Sequence, residues 1–306
     1  MATQLTQLKG TSYYIPGAVN TGVIVEGKDC LLIDTGLDRQ AGKQILRCLE
    51  EEGLTPKVII NTHSHADHYG GNAIICKQTG AKVFASSLEK AVIENPYLEP
   101  FYLFSAAPVK DLSTRFLMAQ PSPVHGVLEA GVFDSDGFHV EIIHLPGHSP
   151  EQIGVVSGDG VCFTADAYFA PSILDKYGLP YCADITSALQ TLNTLWQSDY
   201  DLYLPCHGEP EVKATETILK NVGVIERALE QILVILCDGG RTREEVLAAF
   251  MIQNNRELNP VQYVLNHGAI TACLSHLHLI SKVGYHFQDG KMLWEKTTGQ
   301  TCSPFG

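Results

Sequence analysis

The pattern of apolar and polar positions predicts alternating strands and helices in the first third of the chain. Residues 12–34 alternate apolar and polar side chains around turn residues, which is typical of strands joined in hairpins. Residues 38–53 repeat apolar positions at helical spacing and predict a helix. The apolar run 58–60 predicts a buried strand, and the pattern continues with a helix at 69–80 and a strand at 81–85.

The last third of the chain has a different, mainly helical pattern. Residues 211–236 predict a long amphipathic helix, and residues 242–253 open with Thr-Arg-Glu-Glu, which resembles a capping box at a helix start. Residues 259–283 also predict a helix, and residues 285–295 predict a hairpin with a turn at Gln-Asp-Gly-Lys. Three helices followed by a hairpin resemble a small winged-helix-like unit.

These patterns divide the chain into residues 1–209 and a smaller C-terminal domain, residues 210–306. Residues 87–131 interrupt the first part with a segment rich in aromatic residues. This insertion predicts a lid or pocket wall, or else a helical hairpin that closes the core or forms a homodimer contact. Tyr168 and Phe169 are further candidates for a pocket wall.

Histidine and aspartate residues are concentrated directly after predicted strands. Three imidazoles and one carboxylate occupy six consecutive positions shortly after the strand 58–60. Such a cluster is costly unless its members are solvated, paired or bound to a metal. Three other strand-like runs are each followed by one more candidate, and ligands bind at such strand ends in open α/β folds. The seven candidates are His63, His65, Asp67, His68, His148, Asp166 and His207.

This set of side chains predicts a catalytic centre with two metal ions. Seven nitrogen and oxygen ligands exceed the needs of one tetrahedral ion and suit two ions. No cysteine is needed, so the set suits zinc, iron or manganese, and we expect two divalent ions, with zinc favoured. The other histidines lack ligand spacing with this set. His267 is the exception, because we expect Asn-His-Gly at 266–268 to open a helix near the site.

The same residues resemble the motifs of the metallo-β-lactamase fold superfamily. The pattern His-x-His-x-Asp-His, followed by the three later candidates, has the order of that family's motifs. Asp34, in Leu-Leu-Ile-Asp-Thr-Gly, matches the family's first motif. The resemblance covers residues 11–209, and the motif sequences are most similar to those of the glyoxalase II-like branch. It implies an α/β fold, the αββα sandwich, for a catalytic domain over residues 1–209.

The resemblance also assigns a role to each candidate. Asp34 would not contact a metal but would hold the histidine-rich loop through hydrogen bonds. Ser64 stands where the family's diiron electron-transfer branch carries Glu, which disfavours that branch. The implied ligands are His63, His65 and His148 for the first ion, Asp67, His68 and His207 for the second, and Asp166 as a bridge.

Such a centre predicts hydrolysis of a carbonyl compound. Two divalent ions lower the pKa of a shared water from about 15.7 towards about 7, and the resulting hydroxide attacks the carbonyl carbon. Asp67 is the candidate to orient this water or to accept its proton. We therefore expect a dinuclear metallo-hydrolase whose substrate is a small thioester, ester or lactone.

Two other functions are compatible with the sequence. A non-haem iron oxidoreductase similar to persulfide dioxygenases would share the His-x-His-Ala-Asp-His wording but would use one iron. A metal-dependent sensor would bind a partner through its C-terminal unit. Metal count and iron content distinguish the oxidoreductase from a dinuclear hydrolase. Partner binding that is lost on chelation, with no turnover of any ester, would indicate the sensor.

Composition predicts a cytoplasmic globular protein. The 306 residues are 45% apolar and 18% charged, which is ordinary for a chain with a sizeable core. No apolar run approaches the roughly 20 residues needed to cross a membrane, and the N-terminus lacks a signal-peptide pattern. The nine scattered cysteines are odd in number, which disfavours a disulfide framework and favours a reducing compartment.

The net charge of −13 disfavours nucleic acid as a partner. Residues 210–306 carry nine Lys and Arg against ten Asp and Glu, which leaves 12 against 24 for residues 1–209. The excess negative charge therefore lies in the part that carries the candidate ligands, and it repels phosphate backbones. For the C-terminal part we expect substrate selection or dimerisation rather than DNA binding.

Overall fold

Two β-sheets pack face to face in the computed structural model, which describes residues 4–297. Side chains of both sheets meet in one core, where Ile33 and Ile60 of the first sheet pack with Ile142, Val155 and Phe163 of the second. Helices cover the outer face of each sheet. The arrangement is an αββα sandwich with additional C-terminal helices, so the predicted fold class is confirmed.

The first sheet has seven strands in sequence order. Its first four strands are antiparallel neighbours, and the last four are parallel neighbours. The central strands are covered on both faces, which explains their continuous apolar runs. The strands are β1 (Thr6–Lys9), β2 (Ser12–Ile15), β3 (Thr21–Glu26), β4 (Asp29–Ile33), β5 (Thr55–Ile60), β6 (Lys82–Ala85) and β7 (Gly126–Val127).

The second sheet has five strands, and a separate hairpin follows near the end of the described chain. All neighbours in the second sheet are antiparallel except the last pair in the chain, which is parallel. The strands are β8 (Gly131–Ser135), β9 (Phe138–His144), β10 (Ile153–Ser157), β11 (Val161–Ala165) and β12 (Leu202–Pro205), and the hairpin is β13 (Val283–Gln288) and β14 (Lys291–Lys296).

Ten α-helices occur in the described residues. The predicted capping box is present, because Thr242 and Glu245 exchange hydrogen bonds at the start of the ninth helix. Short 3-10 turns lie at Lys110–Leu112 and Leu236–Asp238. The helices are α1 (Arg39–Glu51), α2 (Ala66–Tyr69), α3 (Asn72–Thr79), α4 (Ser87–Glu94), α5 (Leu98–Phe104), α6 (Pro171–Tyr177), α7 (Ile185–Gln197), α8 (Thr215–Ile235), α9 (Arg243–Gln253) and α10 (Pro260–Leu279).

The helix predicted over 69–80 is present as α3, but it begins only at Asn72, because a break at Gly70 and Gly71 separates it from the short helix α2. These glycines pack against the loop after β4. A Cβ on Gly70 would lie 1.9 Å from the Leu37 carbonyl oxygen, and a Cβ on Gly71 would lie 2.3 Å from that of Thr35. The break therefore lets the histidine-rich loop pack closely against the loop that follows Asp34.

The insertion packs against the C-terminal part of the chain. Leu103, Leu112 and Leu117 form one apolar cluster with Val264 of α10. The end of the insertion contains β7, which extends the first sheet by one strand. Residues 87–131 thus contribute both to the sheet and to contacts with the C-terminal helices.

No helix in the described residues combines the length and apolar character needed to cross a bilayer. Seven described cysteines are free thiols, and most of them are buried. The eighth described cysteine, Cys237, is disulfide-bonded. The cysteines of residues 4–297 do not form the multiple crosslinks of a disulfide framework.

Candidate metal centre

Five strand ends bring the candidate residues together. Asp34 follows β4, the histidine-rich loop follows β5, and His148, Asp166 and His207 follow β9, β11 and β12. Within the first sheet β4 and β5 are parallel, and within the second β9, β11 and β12 share one direction. Their carboxyl ends therefore lie at one edge of the sandwich, which is where α/β folds bind ligands.

His63, His65 and His148 form the first group of candidates. Nε2 of His63 lies 3.1 Å from Nδ1 of His65, which lies 2.9 Å from Nε2 of His148. Burial lowers the pKa of His63 well below its usual value and lowers the pKa values of His65 and His148 to about 4. All three rings are therefore neutral near pH 7, which leaves nitrogen lone pairs available for a metal.

Asp67, His68 and His207 form the second group. The Asp67 carboxylate lies 3.7 Å from Nε2 of His68 and 3.6 Å from Nε2 of His207. Burial alone lowers the pKa values of both histidines. Neighbouring carboxylates outweigh it, led by Asp34 for His68 and by Asp166 for His207, and raise both pKa values. A bound cation would replace the protons that these imidazoles otherwise hold.

Asp166 lies between the two groups. Its Oδ2 is 3.5 Å from Nε2 of His148, 3.6 Å from Nε2 of His68 and 3.4 Å from Nε2 of His207. Burial raises the pKa of Asp166, but the nearby His207 and His68 outweigh it and hold the pKa well below its usual value. An ionised carboxylate in this position can contact a cation in either group.

Backbone carbonyls fix the orientation of two of the histidines. Nδ1 of His148 lies 2.9 Å from the Tyr181 carbonyl oxygen, and Nδ1 of His207 lies 2.8 Å from the Ala18 carbonyl oxygen. A carbonyl can only accept, so each Nδ1 carries a hydrogen and each Nε2 is the nitrogen directed into the site. This is the usual arrangement around metal-binding histidines.

Asp34 holds the histidine-rich loop, as its predicted role requires. Its carboxylate accepts hydrogen bonds from the Thr62 N–H at 2.9 Å and the Thr62 hydroxyl at 2.7 Å. Its backbone has a φ of +62°, and Ala165, which precedes Asp166, has a φ of +53°. Such left-handed backbone in residues other than glycine is strained and clusters at functional sites.

The donor set fits divalent metal ions. Within residues 4–297, Nε2 of His68 and Oδ1 of Asp166 are buried and have no hydrogen-bond partner. Buried polar atoms of this kind need a partner, and a cation between the two groups would supply it. Cys206 also lies near Asp34 and His68, where burial raises the pKa of its thiol and its S–H donates to Oδ2 of Asp34 at 3.5 Å.

Glu89 connects the two loops that carry the first group, a role that the sequence did not predict. One of its carboxylate oxygens accepts from the Ser64 N–H at 2.9 Å and the Ser64 hydroxyl at 2.5 Å. The other accepts from the Ser149 hydroxyl at 2.7 Å and the Glu151 N–H at 3.0 Å. Glu89 is the third residue of α4. Acidic residues are common in the first turn of a helix because they interact favourably with the helix dipole, so nothing in the sequence indicates a further role for Glu89.

Glu99 of α5 was likewise not predicted from the sequence. It lines the cavity beside Asp67, is 2% exposed, and its Oε2 has no hydrogen-bond partner among the described residues. Burial, with help from the Asp67 and Glu89 charges, raises its pKa well above the usual value. The side chain is therefore favoured as a neutral carboxylic acid.

A cavity of about 750 Å³ opens beside the candidate ligands. Asp67, His148 and Asp166 lie in its wall. The insertion contributes Phe116, and the C-terminal helices contribute Leu265. Residues far apart in the chain therefore enclose one site.

Three further sequence expectations have different outcomes. Phe169 lines the cavity, and its ring stacks on His207 with centroids 6.1 Å apart. Tyr168 is fully buried in the core between the second sheet and the helices, so its expected place in the pocket wall is wrong. His267 lies within α10 with Nε2 3.3 Å from Glu244, and it is the neighbouring Asn266 that lines the cavity.

An αββα sandwich with histidines and aspartates gathered at five strand ends defines the class of metallo-β-lactamase-fold proteins. The family model described as the metallo-beta-lactamase superfamily matches residues 14–207. The chain belongs to this superfamily.

The chain is also similar to curated proteins at low identity. It is 27% identical over 147 residues to the hydroxyacylglutathione hydrolase GloC of Haemophilus influenzae, covering 48% of this chain and 64% of that enzyme. It is 26% identical over 205 residues to the probable metallo-hydrolase YqgX of Bacillus subtilis, covering 66% and 90%. It is 22% identical over 245 residues to an atrochrysone carboxyl ACP thioesterase of Aspergillus fumigatus, covering 78% and 64%.

Solved structures share the fold over nearly the whole chain. A metallo-beta-lactamase family protein from Thermus thermophilus has a TM-score of 0.73 and 20% identity, covering 97% of this chain and 99% of its own. A beta-lactamase domain protein from Burkholderia ambifaria has a TM-score of 0.73 and 17% identity, covering 97% and 94%. At these identities the structures show the fold and not the activity.

Proposed function

We propose that this protein is a metal-dependent hydrolase that binds two divalent ions, with zinc favoured, and cleaves a small thioester, ester or lactone. The observation that carries the proposal is the position of Asp166, whose Oδ2 lies 3.4–3.6 Å from nitrogens of His68, His148 and His207. A carboxylate between two groups of nitrogen ligands is suited to a two-ion site.

The two groups would hold the two ions separately. When bound, the ions supply Lewis acidity and lower the pKa of bound water to about 7. The first group of ligands would be His63, His65 and His148, the second would be Asp67, His68 and His207, and Asp166 would contact both.

Asp67 is the candidate to orient the attacking water and to accept its proton. Its side chain is 26% exposed and lines the cavity, so a water there can reach it. The Asp166 side chain is only 5% exposed and is surrounded by imidazoles. It is therefore better suited to stay ionised as a metal ligand than to exchange protons with water. Asp34 would act indirectly, because its carboxylate fixes the orientation of His68 and holds the loop at Thr62.

The similar proteins support hydrolysis at the level of the family. One relative is named a hydroxyacylglutathione hydrolase and another an ACP thioesterase. Their identities of 27% and 22% leave the substrate as part of the proposal.

Elemental analysis of protein purified without chelators tests the proposal. We expect about two zinc or manganese ions per chain, together with turnover in a screen of thioesters, esters and lactones that stops on chelation. One iron per chain, with oxygen consumed in the presence of thiol persulfides, would instead establish a dioxygenase. Metal-dependent partner binding without turnover of any carbonyl compound would instead establish a sensor.

A further inference from the structure

The cavity beside the metal centre is built largely from apolar side chains. Ile15 comes from β2, Ile45 from α1, Phe116 from the insertion, Ile173 from α6 and Leu265 from α10. The candidate metal ligands line the same cavity. A molecule whose carbonyl lies at the metal centre therefore continues along an apolar wall.

The cavity is larger than a two-carbon acyl group would need. Its volume of about 750 Å³ lies within the range of about 300–1,000 Å³ that is usual for small-molecule sites. An acetyl group would leave most of this space to water in contact with apolar side chains, which is unfavourable.

Part of the apolar lining is exposed, beside the exposed charged side chains of Lys176 and Glu257. Phe116, Tyr177 and Leu258 line the cavity and are also 48%, 41% and 38% exposed. Apolar residues that are exposed around a pocket are typical of a binding site for an apolar ligand.

We infer that the substrate carries an extended apolar chain beside its reacting carbonyl and that this chain occupies the cavity. The inference rests on the proposed hydrolase function and adds a substrate class to it. The chain belongs either to the acyl group or to the alcohol or thiol that leaves, and both share the same apolar chemistry. Each methylene that the cavity buries strengthens binding by roughly fourfold.

Two series of thioesters distinguish the two positions of the chain. In alkanoyl thioesters of N-acetylcysteamine the acyl chain grows from two to about ten carbons, and in S-alkyl thioacetates the thiol side grows over the same range. We expect kcat/KM to rise by roughly fourfold per methylene in one series until the cavity is filled. The series that rises identifies the side that carries the chain. Turnover that is flat with length in both series would overturn the inference and leave the hydrolase intact.

A binding measurement separates the inference from the proposed function. Straight-chain carboxylates of two to about ten carbons are titrated into the protein as purified and followed by calorimetry, and affinity is expected to rise by roughly fourfold per methylene. If affinity rises in this way but no ester, thioester or lactone is turned over, the apolar-chain site is supported and the hydrolase is overturned. Affinity that does not change with length overturns the apolar-chain site.

A cavity-filling variant locates the chain. Ile173→Trp is expected to lower kcat/KM and affinity for the longest chains by about tenfold or more relative to two-carbon compounds, because it takes up space in the wall. Leu219→Trp on α8, an exposed apolar residue outside the cavity wall, is the matched control. Phe116→Ala is a second variant, and it is expected to weaken the binding of long-chain compounds because it removes part of the cavity wall. Unchanged long-chain binding in both wall variants would overturn the assignment.

Discussion

Oδ2 of Asp34 lies 2.8 Å from Nδ1 of His68, and neither side chain is exposed to solvent. The carboxylate keeps the hydrogen of His68 on Nδ1 and directs Nε2 towards Asp67 and Asp166. The orientation of one candidate ligand is therefore set by a residue on a different strand end.

Replacing Asp34 should weaken metal binding without removing a ligand. Asp34→Asn is expected to lower metal affinity by about 10–100-fold, because the amide no longer fixes the His68 ring and the Thr62 loop as the carboxylate does. Titration against a chromophoric chelator measures the change. Asp29→Asn, at the exposed start of β4, is the control and should leave affinity unchanged. Wild-type affinity in Asp34→Asn would show that this hydrogen bond does not act on the metal centre.

Replacing Asp166 should change the number of bound ions. Asp166→Ala removes the carboxylate oxygen that lies between the two groups, and we expect the metal content to fall by at least one ion per chain. Turnover should fall by about 100-fold or more. Elemental analysis and kinetics on the same sample check both effects. Full activity with unchanged metal content would contradict the dinuclear mechanism.

Replacing Glu89 should destabilise the fold around the first group of histidines. In Glu89→Gln, one carboxylate oxygen becomes an NH₂ group that cannot accept, so two buried donors from Ser64 or from the Ser149 loop lose their partner. We expect a loss of about 2–3 kcal/mol in the free energy of unfolding, measured by urea denaturation. Lys90→Gln on the same helix should change it by less than about 0.5 kcal/mol. An equal effect of both substitutions would argue against this role of Glu89.

Replacing Glu99 should change how stability depends on pH. The raised pKa of Glu99 means that the folded protein holds a proton which the unfolded chain releases above its pKa of about 4.3. Stability is therefore lost as pH rises from that value towards the folded pKa, by up to about 1.4 kcal/mol per pH unit. Because Gln does not titrate, Glu99→Gln should gain stability relative to wild type as pH rises through this window.

The measurement is urea denaturation of chelator-treated protein between about pH 4 and pH 8, a span that begins near the unfolded pKa. Removing metal ions keeps their charge from acting on the Glu99 carboxyl. Glu129→Gln, at an exposed position, is the control. A difference between Glu99→Gln and wild type that stays constant with pH would show that Glu99 titrates alike in both states.

The candidate ligands could be predicted from sequence because each directly follows an apolar run. An apolar run such as 58–60 is typical of a buried strand, and strand ends in α/β folds gather at one edge. The role of Glu89 could not be predicted in this way. It depends on α4 packing against two loops that lie 25 and 60 positions away in the chain.

The remaining differences also arise from contacts between distant segments. The break between α2 and α3 comes from Gly70 lying against the Leu37 carbonyl, which helical spacing does not reveal. Tyr168 follows Asp166 closely in sequence but faces the core rather than the cavity. The cavity wall needs the insertion and α10 to meet, as Leu117 and Val264 do.

The separation between strand ends and cavity wall has a consequence for how such a protein diversifies. The strands that end at the centre are packed with side chains such as Leu31 and Ile60, which are fully buried, so most mutations there cost stability. Phe116 and Ile173 in the wall are partly exposed, and substitutions at such positions are usually tolerated. Point mutations in the cavity wall can therefore change which substrates bind, while the metal centre and the reaction that it catalyses stay the same.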